Sequence, residues 1–443
     1  MAASQWALVA TLTLVSMLAQ IDKNVLVLMV GPIQRDFGVG DVQISFLIGA
    51  AFAMANIAIG LPAGWLADRF NRRLIIAGGV LVWSLAVASN AFASTFLALV
   101  VARIVVGGAE ALIPPSAYSL IRDGVDAERR ARAMSVYTMG LMLGTGLSLV
   151  LGGPMLAWIQ SAGIRSIAGF GDVPPWQMAL FLIGLVGLPT ALLIGLNRDP
   201  GRHHADGAAG GSAVKLGLAD VWRTLAAQRT VFLPLLVFAA ANSIITFGLG
   251  SWIPTMTARR FHIGMREIGL MQGGLLLTMG PIGLWLAGLV MDRKRGGTLQ
   301  NIAGVGVVVS AVVPTLATLL CQSGNLATFW SIDAAVVLFS WTFMAVTSTL
   351  VARTVPPTMV GTAMAVVLVI NGLIGQGLAP TLIAVVGQRA YGNDPQSLSS
   401  AMGAVFTGAG IVAFAAALLL YRAVKGRPSP VPAMTDAAPI ASR

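Results

Sequence analysis

The sequence predicts an all-α membrane protein that crosses the bilayer about twelve times, in two six-helix halves joined by a polar linker. Three observations predict it: an apolar composition, twelve apolar stretches of spanning length, and a charged loop that occurs in both halves. The 443 residues are 56% hydrophobic and 10% charged, with a mean hydropathy of +0.83, more apolar than a soluble core requires. A helix needs roughly 20 apolar residues to cross the hydrocarbon layer. Stretches of that length run over 6–30, 43–66, 74–93, 95–121, 132–156 and 176–196, then over 231–256, 267–291, 298–320, 327–352, 358–387 and 398–422.

Between the two sets lie Arg198, Asp199, Pro200, Gly201, His203, His204 and the run from Gly207 to Gly211, the composition of a flexible connection. The predicted organisation is an N-terminal bundle (1–196), a cytoplasmic linker (197–230), a C-terminal bundle (231–425) and a disordered cytoplasmic tail (426–443). Of 28 Lys and Arg residues, 20 fall on the side that holds the linker and six on the other. Basic residues sort to the cytoplasm, so both termini and the linker are expected there. Residues 1–5 carry no basic charge and the first apolar stretch holds Asp22 and Lys23, which reads as a retained helix rather than a cleavable signal.

Composition also excludes several classes. One cysteine, Cys321, rules out a disulfide framework or Cys-rich metal site, and three histidines, two of them adjacent, argue against a buried His-based centre. No metal or cofactor is therefore expected. The net charge of +11 is explained by its position beside the membrane, not by nucleic acid. No Gly-x-x-x-x-Gly-Lys-Ser/Thr loop occurs, so an ATPase is excluded. An intramembrane hydrolase is disfavoured because no Ser/His/Asp set fits within the spans. The chain is read as a non-enzyme.

The duplicated loop closes the second and eighth helices. Gly64-Trp-Leu-Ala-Asp68-Arg69-Phe-Asn71-Arg72-Arg73 in the first half is matched by Gly288-Leu-Val-Met-Asp292-Arg293-Lys294-Arg295, 224 residues later. Duplicated halves are how many carriers build a central site that opens to either side. The first copy matches the signature of major facilitator transporters, Gly-x-x-x-Asp-Arg/Lys-x-Gly-x-Arg-Arg, with Asn71 in place of the usual Gly. Asn also visits left-handed backbone, so the turn is expected to be kept. An anion at a helix C-terminus is disfavoured by the dipole, and Asp68 therefore needs a partner. The resemblance implies that the partner is the start of the eleventh helix, near Pro357 and Gly361, and that Asp68, Arg69, Arg72, Arg73, Asp292 and Arg293 form the gating loops. The plainer alternative makes 69–73 and 293–295 topogenic positive charge only.

The fourth helix carries Arg103-Ile-Val-Val-Gly107-Gly108-Ala109-Glu110, similar to the superfamily's Arg-x-x-x-Gly-x-Gly. An ionised group at mid-bilayer costs at least ~2.5–3.5 kcal/mol and normally faces a cavity or a partner. Arg103 and Glu110 share a helix face, separated by roughly 10 Å of rise, so a third group is needed. Asp22 in the first helix supplies it. A purely structural ion network is the alternative. Pro114-Pro115 should bend this helix just below Glu110.

Ile21-Asp22-Lys23, Asp36-Phe37, Trp83-Ser84, Val106-Gly107-Gly108-Ala109-Glu110-Ala111 with Pro114, and Gly152-Gly153 together resemble the Spinster (Spns) family, most closely over about 18–196. That resemblance implies a major facilitator fold, with two pseudo-symmetric six-helix bundles, and a proton-coupling set of Asp22, Arg103 and Glu110. It implies a bacterial homologue in the inner membrane. Lys23 stands where Arg is usual, Asn56 where Tyr is common, Gln177 where Arg is usual, and Gly375-Gln376-Gly377 where a Gly-Asp pattern is. In the second half, Asn242 and Thr246 are candidate cavity groups, with Lys23, Asn56 and Asn371. Asp333 is expected near the outer end of the tenth helix, reaching the interface; Trp341 is expected to pack against lipid, the alternative being that it lines a lipid-like cargo path. Asn371 and Gln376 sit among Gly372, Gly375, Gly377 and Pro380 in a stretch of the eleventh helix that can bend.

The expected function is a proton-coupled secondary carrier working by alternating access on a lipid-like or amphiphilic small molecule. The expected partners are that substrate, protons and membrane lipids, with no nucleic acid, and the expected state is a monomer. A multidrug/proton antiporter or an organic-anion/proton symporter is the runner-up; a channel or non-transporting receptor is disfavoured by the duplicated loops.

Overall fold

A computed structural model describes residues 2–164, 166–167, 171–196, 228–292, 298–356, 359–392, 394 and 396–425. The apolar stretches become twelve spans. In the first half these are α1 (Gln5–Phe37), α2 (Asp41–Gly60, helical on to Arg69), α3 (Arg72–Phe92), α4 (Phe96–Gly124), α5 (Ala127–Ser161) and α6 (Pro175–Leu196). In the second they are α7 (Arg229–Phe261), α8 (Met265–Met291), α9 (Leu299–Gln322), α10 (Leu326–Thr354), α11 (Val360–Tyr391) and α12 (Ser397–Val424). A short antiparallel ribbon, Ser166–Ile167 against Gly171–Asp172, joins α5 to α6, a small departure from all-α. Most of the predicted linker, the tail, Pro357 and Arg293 lie outside the described residues. Six spans return the chain to the face it left, so Gln5, Leu196, Arg229 and Val424 share one side, here the linker face.

Polar residues mark where helices start. Asn71 accepts hydrogen bonds from the backbone N–H of Arg73 and Leu74, and Thr298 caps α9 in the same way through Asn301. Asn71 has φ −62 and ψ 110, so the expected left-handed turn is corrected: the residue works as an extended N-cap. Helices α4 and α10 share one construction. Thr95 and Asn325 cap them through Ala98 and Thr328, and each runs 15 residues, to Glu110 or Ser340, before an interruption. The second segments are Ile113–Gly124 and Thr342–Thr354. In α4 the break falls directly ahead of Pro114-Pro115, as the missing backbone donors require.

The halves are joined along the side away from the linker face. Helix α5 crosses α8 there on glycine: a Cβ on Gly153 would lie 2.4 Å from the Met265 carbonyl oxygen, and one on Gly269 2.4 Å from that of Leu149. Such close backbones are how helices associate where lipid removes the hydrophobic drive. Helix α2 meets α11 through two wide turns of π-helix, Phe46–Ala50 and Asn371–Leu378, with Ser45 Oγ donating to Thr381 Oγ1 at 3.2 Å. At the outer edge Arg259 of α7 clamps Asp41 of α2 through Nη1 (2.8 Å) and Nη2 (2.6 Å), and Nη2 also donates to Gln34 Oε1 at 2.9 Å.

Candidate functional site

Successive residues on a helix point about 100° apart, and α1 uses this to serve two compartments. Asp22 turns into the first half, where it lines a cleft of about 20 Å³ with Arg103 and Asn90. Lys23 turns into a cavity of about 130 Å³ between the halves, walled by Gln20, Asn24, Thr246, Phe247, Gln272, Asp333, Ser340, Trp341 and Gln376 among apolar side chains.

Arg103 ties the two compartments together. Its Nη1 lies 3.6 Å from Asp22 Oδ2, with both side chains buried, and its Nη2 donates to the backbone carbonyl of Lys23 at 3.0 Å. The guanidinium also sits 5.0 Å from the ring centroid of Phe52, and the Lys23 ammonium lies at the same distance from that ring. Lys23 Nζ then donates to Gln376 Oε1 of α11 at 2.8 Å. A continuous path thus runs from a buried carboxylate in α1, through α4, to a helix of the other half. Three residues after Lys23, α1 tightens into a 3-10 turn, Leu26–Met29, a local change of winding common at hinges.

Glu110 ends the first segment of α4, buried, with Oε1 lacking a hydrogen-bond partner. The structure therefore pairs Arg103 with Asp22 and leaves Glu110 beside them without a direct bond to the guanidinium. Of the candidate cavity residues, Lys23 and Thr246 line the central space, and Thr246 Oγ1 donates to the Ser340 carbonyl at 3.2 Å. Asn56 is turned to α4, donating to the Gly107 carbonyl at 3.1 Å. Asn242 is buried within the second half, bonded to the Phe238 carbonyl at 2.9 Å and Ser310 Oγ at 3.4 Å. Asn371 is buried at the start of the π-helical stretch. Trp341, expected to face lipid, instead lines the cavity and packs edge-on against Phe247.

The charged loop between α2 and α3 is built around Arg72. Its guanidinium is buried and holds Asp123 and Ser119, locking the start of α3 to the end of α4. Asp68 is exposed at the linker face, and Arg69 stacks on Trp65, 4.4 Å from its centroid. Beyond the span Met265–Met291, helix α8 continues one residue to Asp292. The Asp36-Phe37 pair meets α6: Trp176 Nε1 donates to Asp36 Oδ2 at 2.6 Å and its ring lies against Phe37. Gln177 Nε2 donates to the Ala93 carbonyl at 2.9 Å. The Asp41–Arg259–Gln34 clamp was missed from sequence, since 218 residues separate the ions and no local pattern marks either.

Residues 12–380 match the family model described as Major Facilitator Superfamily. The chain is 26% identical over 437 residues to "Protein spinster homolog 1" of Homo sapiens, covering 93% of this chain and 78% of that one. It is 24% identical over 428 residues to an "MFS-type efflux pump" of Mycolicibacterium smegmatis, covering 95% and 91%. Among solved structures, a bacterial homologue of the human lysosomal transporter Spinster, in an inward-facing and unoccupied conformation, superposes with a TM-score of 0.78 at 23% identity over 95% of each chain. That last likeness is one of fold.

Proposed function

The chain belongs to the Major Facilitator Superfamily, as a multi-pass transporter resembling Spinster proteins, and we propose that it is a proton-coupled carrier working by alternating access. The linker face is the cytoplasmic side of a bacterial inner membrane, by the 20-to-six distribution of basic residues. With the halves joined away from that face, the conformation is inward-facing. The cargo is an amphiphilic, lipid-like small molecule that places its polar end at Lys23 and its apolar part along Phe247 and Trp341. Its carrier acts as a monomer among membrane lipids.

The observation that supports coupling most directly is the path from Asp22 through Arg103 and Lys23 to Gln376. While Asp22 is ionised, Arg103 is held in the first half and Lys23 is held at the α11 contact. A proton on Asp22 removes the charge that retains the guanidinium, which can then turn to Glu110 or to an anionic headgroup. Movement of Arg103 releases the Lys23 carbonyl beside the 3-10 turn, and with it the inter-half contact. When the cytoplasmic side closes, Asp68 is offered to the N-terminus of α11, an interaction that offsets its unfavourable place at the end of α2.

In proteoliposomes, Asp22→Asn and Glu110→Gln are each expected to abolish pH-driven net transport while cargo still binds. Wild-type proton coupling in both variants would remove this assignment. A multidrug/proton antiporter is the second reading, favoured by the relative named as an efflux pump. Native mass spectrometry of the copurified molecule separates the two: a lipid supports the first reading, an assortment of planar drug-like compounds the second.

A further inference from the structure

One buried ion of the central cavity plays no part in the path above. Asp333 lies in the first segment of α10 with no solvent-exposed surface, on the cavity wall shared with Lys23. The expectation that it reaches the membrane interface is thereby corrected: α10 places it about two turns before the interruption at Trp341, well inside the span.

Neither carboxyl oxygen of Asp333 has a hydrogen-bond partner. The polar group that faces it is the side chain of Gln272, from α8, and Gln272 Oε1 has no partner either. Three oxygens at this place are thus without a hydrogen-bond partner, and the Gln272 amide is the neutral polar group that faces the acid. Trp330 Nε1, one turn earlier on α10, is a single donor that also bonds nothing. Among the described residues no cation forms an ion pair with Asp333. The helices packed on this segment are α7, α8 and α9. The basic groups of α7 are Arg229, Arg259 and Arg260 at its ends, α8 has Arg266 and Glu267 in its first turn and Asp292 at its last residue, and α9 has only Cys321 as an ionisable group. Lys23, across the cavity, is engaged by Gln376.

The equivalent position of the first half sharpens the point. Arg103 lies eight residues after the cap of α4 at Thr95, and Asp333 eight residues after the cap of α10 at Asn325. Arg103 has Asp22 as its counter-ion. Asp22 falls, by the 224-residue spacing of the duplicated loops, opposite Thr246, a hydroxyl that is spent on the Ser340 carbonyl. The second half has an acid with no base.

A carboxylate without a counter-ion in this setting is among the most expensive groups to bury, whereas a carboxylic acid carries no charge and has an O–H that can satisfy the unpartnered Gln272 oxygen. We propose that Asp333 is a second proton-binding site of the transport cavity, neutral in this conformation and donating its Oδ hydrogen to Gln272 Oε1. The proton leaves for water when the cavity opens and hydrates the wall, which lowers the cost of the charged form. Asp333 thereby makes the C-terminal half a proton carrier in its own right. The inference rests on the cavity being the transport path and is independent of the roles given to Asp22 and Glu110.

Infrared difference spectroscopy of the full-length protein in liposomes, recorded between acidic and alkaline pH, reads it directly. The wild type is expected to show a protonated-carboxyl band that is lost in Asp333→Asn, moved in frequency in Asp333→Glu, and retained in Asp22→Asn and Glu110→Gln. A spectrum unchanged in both Asp333 variants overturns the proposal. The Glu variant keeps the test decisive if the Asn variant does not fold. A band assigned to Asp333, alongside wild-type pH-driven flux in Asp22→Asn and Glu110→Gln, would retain this site and discard the first-half coupling set.

Discussion

Helices α4 and α10 are built alike and charged in opposite ways. Each is capped by a side-chain oxygen, runs 15 residues and breaks, yet one carries Arg103 and Glu110 at its core while the other carries Asp333 and Ser340. In the first half the charges buried at mid-span form a cluster: Asp22, Arg103, Glu110 and, at its edge, Lys23. In the second there is a lone acid facing an amide. The difference teaches that duplication fixed the helical frame, and that each half then filled the same positions with a different electrostatic device. The first holds permanent charge through a counter-ion; the second holds an acid that only a proton makes compatible with its surroundings.

The largest expected effect tests that distinction by stability. Arg103→Ala leaves Asp22 buried without its partner, and breaking such a pair from one side costs about 3–5 kcal/mol; Asp333→Asn replaces a neutral acid with a near-isosteric amide and should cost about 1 kcal/mol or less. Thermal unfolding in detergent compares them, and equal losses would erase the contrast between the halves. Arg103→Lys refines the same point in transport. A guanidinium reaches Asp22 and the Lys23 carbonyl together through a planar fork, and an ammonium on a different stem does not, so pH-driven flux should be lost although the charge remains. Retained flux would reduce Arg103 to a counter-charge.

A smaller effect is expected where the halves are clamped. Asp41→Asn removes the charge from the Arg259 contact, which is half-exposed and therefore worth about 1 kcal/mol. Spin-label distances across the face away from the linker should then show a several-fold larger open population. An unchanged distribution would assign closure of that face to the glycine contacts of α5 and α8 alone.

The smallest effect tests what the halves have in common. Asn71→Ala and Thr298→Ala each remove an N-cap from corresponding helices, α3 and α9, and should lower stability by similar amounts, about 0.5–1 kcal/mol. Asn71→Gly should lose only a few tenths of that order. A large asymmetry between the two Ala variants would show that Asn71 acts beyond capping.

The sequence by itself determined the number of spans, their division by the linker, and the positions where ions must be buried, because apolar length and intramembrane charge are local properties of the chain. Asp22, Arg103 and Glu110 were legible for that reason: each is a charge placed where charge is costly. The bond from Arg103 to the Lys23 carbonyl, the outward clamp of Asp41 by Arg259, the bond from Lys23 to Gln376 and the burial of Asp333 on the cavity wall with Gln272 were decided by tertiary structure. Each joins residues on separate helices, and which side of a helix faces a neighbour, a cavity or lipid depends on how the spans are rotated and packed. In an apolar helix with little amphipathic contrast, that rotation is set by glycine contacts and by partners tens to hundreds of residues away, and no local pattern records it.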